Sequence, residues 1–308
     1  MKMQEDHLND TKSLVESIKA GDYRVLARAI SLVENESSGY SDILKSLPFP
    51  QVSNVIGITG PPGAGKSTLA DALTGQLLGE GKRIAILCVD PSSPFHHGAL
   101  LGDRIRMSEW FNHPGVFIRS LASRGSLGGL HPKMVEITDL VRAAGFDYII
   151  IETVGVGQSE VEIAGLADTT VVVLVPEAGD EIQTMKSGLM EIADIFVVNK
   201  ADRPEADLFV KNLRLMLAPV FHKEHRNIPV MKTIATQKQG LAELSHEISS
   251  RLRSPEHSLR RTLLLAEKAY QLIQHRRMKD ISKMALEETI GDEIRKGNFN
   301  LYAFISGY

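Results

Sequence analysis

Gly60, Pro61, Pro62, Gly63, Ala64, Gly65, Lys66 and Ser67 run consecutively in the spacing G-x-x-x-x-G-K-[ST], continued by Thr68. That order of residue types suits the polyphosphate of a nucleotide. Glycines let backbone N–H groups turn inward around phosphates, and a helix starting at the lysine adds its positive end. Lys66 reaches the β and γ phosphates, and the Ser67 hydroxyl is a ligand for Mg²⁺. The competing reading, an accidental glycine-rich turn, does not account for the apolar strand before the run and the helix-forming Thr68 to Leu78 after it.

Asn199-Lys200-Ala201-Asp202 closes another apolar run. A carboxylate at Asp202 accepts hydrogen bonds from guanine N1 and N2, a demand adenine cannot meet, so these residues would select the base. The bare tetrapeptide also makes ordinary turns; its place at a strand end gives it meaning. Thr233 to Thr236 follows the next strand, and Ala235 and Thr236 are placed to support the base through a backbone N–H.

Glu152 ends a further apolar strand and leads into Val154-Gly155-Val156-Gly157, where such proteins carry a metal-holding acid and a glycine that senses the γ phosphate. Gly155 is the expected sensor, and Glu152 either holds Mg²⁺, directly or through water, or caps the next helix. Asp90 closes the second strand, and the long loop after it carries Asp103 between Leu101 and Arg106. Asp90 and Asp103 read as metal or water-positioning carboxylates of a first switch, or as plain turn residues. His96 and His97 in the same loop lack further ligands at usable spacing and read as solvated. Small G proteins place a glutamine directly after the sensing glycine; here Val156 takes that position and Gln158 follows two residues later, which predicts slow unaided hydrolysis. Glu177 to Lys186, with Asp180, Glu181, Gln183 and Lys186, is either a second moving element or a solvated helix face.

These loops need a scaffold. Short apolar, often β-branched runs at Val55–Thr59, Ile84–Val89, Val116–Ser120, Tyr148–Glu152, Thr170–Val175, Ile195–Asn199 and Ile228–Thr233 alternate with helical patterns, which predicts an α/β domain with a mostly parallel sheet. Two helices precede it between Thr11 and Asn35, broken at Gly21-Asp22. A connecting segment spans Glu36 to Val52, and the chain turns wholly helical after Gly240. The expected division is a helical extension over 1–50, a nucleotide domain over 51–254 and a helical arm over 255–308. In the arm, Leu259, Leu263, Ala266, Tyr270 and Ile273 form an apolar stripe that wants a partner. The net charge of −3 gives no sign of nucleic acid or an anionic membrane. The single cysteine, Cys88, rules out an internal disulfide and reads as a small buried hydrophobe. No apolar run is long enough to span a membrane and the N-terminus is polar, so a cytoplasmic setting is expected, with neither signal peptide nor membrane contact.

Taken together, the phosphate loop, Val89 to Phe95, Leu101 to Arg104, Glu152 to Ser159, Pro176 to Gln183 and Asn199 to Asp202 resemble the methylmalonyl-CoA mutase-associated GTPases of MeaB/ArgK type, relatives of the human methylmalonic aciduria type A protein. The resemblance implies a P-loop NTPase fold of the SIMIBI type, the class that includes signal-recognition and metallochaperone GTPases. It implies Mg·GTP held by Lys66, Ser67, Asp90, Asp103 and Glu152, the base held by Asn199, Lys200 and Asp202, and a third switch over Asp180 to Lys186. It further implies a homodimer built through the C-terminal arm, and a role gating adenosylcobalamin loading and protection of an acyl-CoA mutase. Rival functions are a nickel-type metal-insertion GTPase, which one cysteine and scattered histidines disfavour, and an ATPase linked to amino-acid transport, which Asp202 disfavours. A nucleotide-regulated dimer without enzymatic activity is a third.

Overall fold

The structure is a computed structural model that describes residues 2–48, 53–90, 107–123, 130–154, 162–177, 187–224, 228–252, 255–278, 280–297 and 299–308. Each of the seven apolar runs forms a strand: β1 (Asn54–Thr59), β2 (Ile84–Asp90), β3 (Val116–Ala122), β4 (Tyr148–Glu152), β5 (Thr169–Leu174), β6 (Ile195–Val198) and β7 (Val230–Lys232). They make one sheet in the order β3-β2-β4-β1-β5-β6-β7, every pair parallel.

Side chains alternate across this sheet with a period of two, and each face has its own core. On one face Val55, Ala85, Leu87, Ile149 and Ile151 pack with α1 (Lys2–Lys19), α2 (Tyr23–Glu34), α3 (Tyr40–Lys45) and α5 (Met134–Ala143). On the other, Ile56, Ile58, Ile84, Ile86, Cys88 and Ile150 pack with α4 (Lys66–Gly79) and α8 (Leu241–Leu252). A third cluster joins Val172, Leu174, Phe196 and Val198 to α6 (Ser187–Ile192) and α7 (Ala206–Glu224). Burial on both faces is why the inner strands read as unbroken apolar runs. Cys88 is buried, as its apolar surroundings suggested.

The break between α1 and α2 falls at Gly21, in the left-handed region at φ +82°. The Asp22 carboxylate caps α2 by accepting from Arg24 N and Val25 N at 2.9 and 3.1 Å. The segment expected to be a plain connection holds α3, which a single buried side chain, Ile43, anchors to the core. Tyr40 and Leu44 pack beside it only partly buried, and six residues are too few to show a helical period.

At the N-terminal edge of the sheet one device repeats. Asp147, Asp168 and Asp194 each stand directly before a strand and accept the backbone N–H of Arg83, Val55 and Thr170, respectively, on the neighbouring segment, each at 2.8 Å. These carboxylates satisfy strand-start donors that the ladder leaves over and so pin the register. Asp168 also takes Arg142 Nη2 at 2.9 Å, with both side chains almost wholly buried.

Residues Met1–Arg261 form one compact unit and Thr262–Tyr308 a second. In the second, α10 (Lys283–Arg295) and α11 (Leu301–Ile305) are capped by Ser282 and Asn300. Leu263, Tyr270 and Ile273, on α9 (Pro255–Arg277), remain exposed. No helix among the described residues is long and apolar enough to cross a membrane.

Asp168→Ala removes the Val55 cap and strands the Arg142 guanidinium in the core. Urea unfolding should show a loss of about 3 kcal/mol or more; a loss below about 1 kcal/mol would mean the pair does not hold the sheet edge.

Candidate functional site

The C-terminal edge of the sheet gathers the residues that the sequence marks. β1 ends at Thr59, the loop Gly60–Gly65 follows, and α4 begins at Lys66. Two glycines in this loop are required by space. Gly60 lies at φ +138° with the place of a Cβ 2.1 Å from the Val173 carbonyl oxygen, and Gly65 lies at φ +85° with that place 2.5 Å from Asn199 Nδ2. Any side chain would push the loop off β5 or off Asn199.

Lys66 is buried, and its ammonium donates to the carbonyls of Gly60 at 2.9 Å and Pro61 at 3.1 Å, inside the loop it serves. Ser67 Oγ donates to Glu152 Oε1 at 2.5 Å. The two meet because β4 lies directly beside β1, with Ile58 opposite Glu152. On its other side β4 pairs with β2, Glu152 lying opposite Cys88, so Asp90 ends β2 two residues further along. Asp90 is buried there, and its carbonyl accepts from Ser123 N at 3.0 Å. Ser67 at the start of α4, with Glu152 and Asp90 at the ends of the paired strands β4 and β2, therefore offers a set of oxygen donors. Thr153 follows Glu152 and donates through Oγ1 to Thr59 Oγ1 at 3.1 Å, tying β4 to the root of the loop.

On the β5–β6 side, Asn199 is buried and hydrogen-bonded at both ends of its amide. Nδ2 donates to the Ala64 carbonyl at 3.1 Å, while Oδ1 accepts from Thr233 Oγ1 at 3.1 Å and from Ala235 N at 3.2 Å. Lys200 sits in the left-handed region at φ +56° and donates through Nζ to the Gly63 carbonyl at 2.8 Å. Asp202 follows in an exposed turn, and Thr236 is exposed beyond the buried Ala235. Next to Asp202, Arg203 pairs with Glu177, and that hydrogen bond holds the Glu177 carboxyl below its usual range.

The structure thus brings together Gly60 to Thr68, Asp90, Glu152, Asn199, Lys200, Ala235 and, in the adjoining turn, Asp202. Asp103, Gly155, Gln158 and Lys186, with His96 and His97, lie outside the described residues. Sequence reasoning missed the partners rather than the residues. It expected a backbone N–H of Thr233 to Thr236 to support the base, and of these the Ala235 N–H donates to Asn199 Oδ1. The bonds from Asn199 to Ala64 and from Lys200 to Gly63 join positions more than a hundred residues apart, which no local pattern announces.

Residues 26–290 match the family described as methylmalonyl Co-A mutase-associated GTPase MeaB. A protein of Pyrococcus horikoshii is 48% identical over 249 residues, covering 80% of this chain and 78% of its own. The GTPase ArgK of Escherichia coli is 34% identical over 303 residues, covering 94% and 89%. Among solved structures, an LAO/AO transport system kinase superposes with a TM-score of 0.66 at 25% identity, covering 98% of this chain and 96% of that one.

Gly65→Ala would drive a methyl group into the Asn199 amide at a backbone angle that L side chains rarely adopt. Titration with a fluorescent guanine nucleotide should show affinity reduced about tenfold or more, with the melting temperature lowered by a few degrees; unchanged affinity would show that the loop tolerates a shift away from Asn199.

Proposed function

From the chain's membership of the methylmalonyl-CoA mutase-associated GTPase family of MeaB type, we propose that it acts as a nucleotide-timed chaperone for an adenosylcobalamin-dependent acyl-CoA mutase. The chain is a P-loop GTPase, as its relatives are. The mutase belongs to the proposal: methylmalonyl-CoA mutase is the partner that the family's description carries, and cofactor loading and protection is the role that a slow, partner-dependent GTPase would suit. Slow hydrolysis is itself part of the reading, since Val156 stands where a water-orienting glutamine would be.

One observation carries the nucleotide half of the reading. Asn199 is bonded to the phosphate loop at Ala64 while Asp202, three residues on, is left exposed in the adjoining turn for a base. Asp202 would accept from guanine N1 and N2. Lys66 would leave the Gly60 and Pro61 carbonyls for the β and γ phosphates, and the N–H groups of Gly63 to Ser67 would take the remaining phosphate oxygens. The donor set at Ser67, Glu152 and Asp90, oxygen only and two of the three carboxylates, fits a hard divalent cation such as Mg²⁺. Ser67 Oγ and Glu152 Oε1, 2.5 Å apart, would be among the groups that hold the ion. Mg²⁺ supplies neutralisation of the charge that builds on the transferring phosphate.

The rest of the proposal comes from the sequence. Asp103 and Gln158 would place the attacking water, Gly155 would sense the γ phosphate, and Lys186 would lie in a third switch that orders against the partner. The exposed Leu263, Tyr270 and Ile273 would be covered in a homodimer, and a cytoplasmic setting suits a mutase partner.

Two measurements test this. Asp202→Asn sets an N–H donor against guanine's own donors, so GTP affinity should fall about 100-fold or more while xanthosine triphosphate gains; equal affinity for GTP in both proteins would remove Asp202 from the base site. For the partner, GTP turnover by the purified protein, with ATP as control, should favour GTP and rise severalfold when methylmalonyl-CoA mutase is added. Turnover indifferent to the mutase would leave the GTPase without the chaperone role.

A further inference from the structure

The chain's only tryptophan, Trp110, stands just after residues 91–106, which connect Asp90 to Met107. Its indole Nε1 donates to Asp71 Oδ1 at 2.6 Å. The ring also lies on Gly75, where a Cβ would meet Trp110 Cζ2 at 3.3 Å and Cη2 at 3.4 Å. Asp71 and Gly75 follow Ser67 on α4 at steps of four residues, so Ser67, Asp71 and Gly75 occupy one face of the helix. The contact with Asp71 therefore lies about one helical turn, roughly 5.4 Å, from the Ser67 position.

The neighbourhood holds the indole in place. Met107 is wholly buried and its carbonyl accepts from Trp110 N at 3.1 Å, while the His113 ring packs edge-on at 6.2 Å. The carboxylate is partly withdrawn from water: burial lifts the Asp71 carboxyl above its usual range by more than the indole donor lowers it. A half-buried carboxylate facing a tryptophan is an expensive arrangement if packing were all it did, because a phenylalanine on a neutral side chain would fill the same space. At the other end of 91–106, β2 fixes Asp90 through the sheet. Met107 is held there by burial in the core beneath α4, and the Trp110–Asp71 bond adds a directional tie to that helix.

We propose that Trp110 and Asp71 are positioning residues for GTP hydrolysis, fixing against α4, one turn from Ser67, the point at which the chain returns from residues 91–106. The proposal rests on the reading above that this stretch brings Asp103 to the reacting phosphate. Catalytic geometry tolerates displacements of only a fraction of an ångström, so an end that slides along α4 lowers turnover without loosening the bound nucleotide.

The test uses the full-length protein and the variants Trp110→Phe, Asp71→Leu, Asp71→Asn and Asp103→Ala, measuring kcat, KM for GTP, GDP affinity and melting temperature. Trp110→Phe keeps a ring near Gly75 and Asp71→Leu removes the acceptor while leaving an apolar side chain against the indole; both should lower kcat about tenfold, with KM and GDP affinity within about twofold of the parent. Asp71→Asn retains an acceptor oxygen and should recover most of the rate. Unchanged kcat in Trp110→Phe and Asp71→Leu, with a clear fall in Asp103→Ala, would overturn the anchor alone. An unchanged rate in Asp103→Ala would overturn the reading of the loop and the anchor with it. Losses of kcat and GDP affinity that run in step with melting temperature would show a purely structural pair and overturn the proposal as well.

Discussion

The side-chain amide of Asn199 donates to the carbonyl of Ala64 in the phosphate loop and accepts from Thr233 and Ala235 in the loop after β7. It is buried, so leaving any of these groups unpaired would cost about 1–3 kcal/mol. Three loops from three strands are thereby held to one small planar group. The absence of a side chain at Gly65 follows from this: the Asn199 amide already occupies the place of a Cβ. The same constraint sets the distance between the residues for phosphates and the residue for the base. A nucleotide entering the site would meet one preformed unit, and guanine recognition at Asp202, as proposed, would be mechanically joined to the phosphate loop.

The sheet makes that arrangement possible. Its inner strands are buried on both faces and leave no room for charge along their length, so the charged groups collect where strands end. At the N-terminal edge they are Asp147, Asp168 and Asp194, all answering backbone donors, with Arg142 compensating the most deeply placed of the three. At the C-terminal edge they are Lys66, Glu152 and Asp90, which in the proposed function would serve a polyphosphate and a divalent cation. One edge pins register; the other, in the proposed function, would take the ligand. Strand order matters here, because β4 between β1 and β2 is what sets Glu152 against Ser67.

Much of this was legible in the sequence. All seven strands were, because runs such as Ile149–Ile151 and Val171–Val173 are short and β-branched, which decides for strand where periodicity alone would not. The phosphate loop and Asn199 to Asp202 were also legible, since each combines residue type with a strand end. The short helix α3 was not, as its six residues are too few to show a helical period and only Ile43 among them is buried. The pairing of Trp110 with Asp71 was not either, because a hydrogen bond between residues 39 positions apart leaves no periodicity in either segment. Nor was the engagement of the Ala235 N–H by Asn199: both residues were marked, but which donor meets which acceptor depends on how closely the loops after β6 and β7 approach.

The central claim, that the Asn199 amide makes phosphate loop and base motif a single unit, is tested most directly by titrating Mg·pyrophosphate, which has no base, into the parent protein and Asn199→Ala. The account predicts that pyrophosphate binding weakens along with GDP binding in the variant, by about tenfold each. Weaker GDP binding with pyrophosphate affinity unchanged would contradict it, and would reduce Asn199 to a residue of the base site alone.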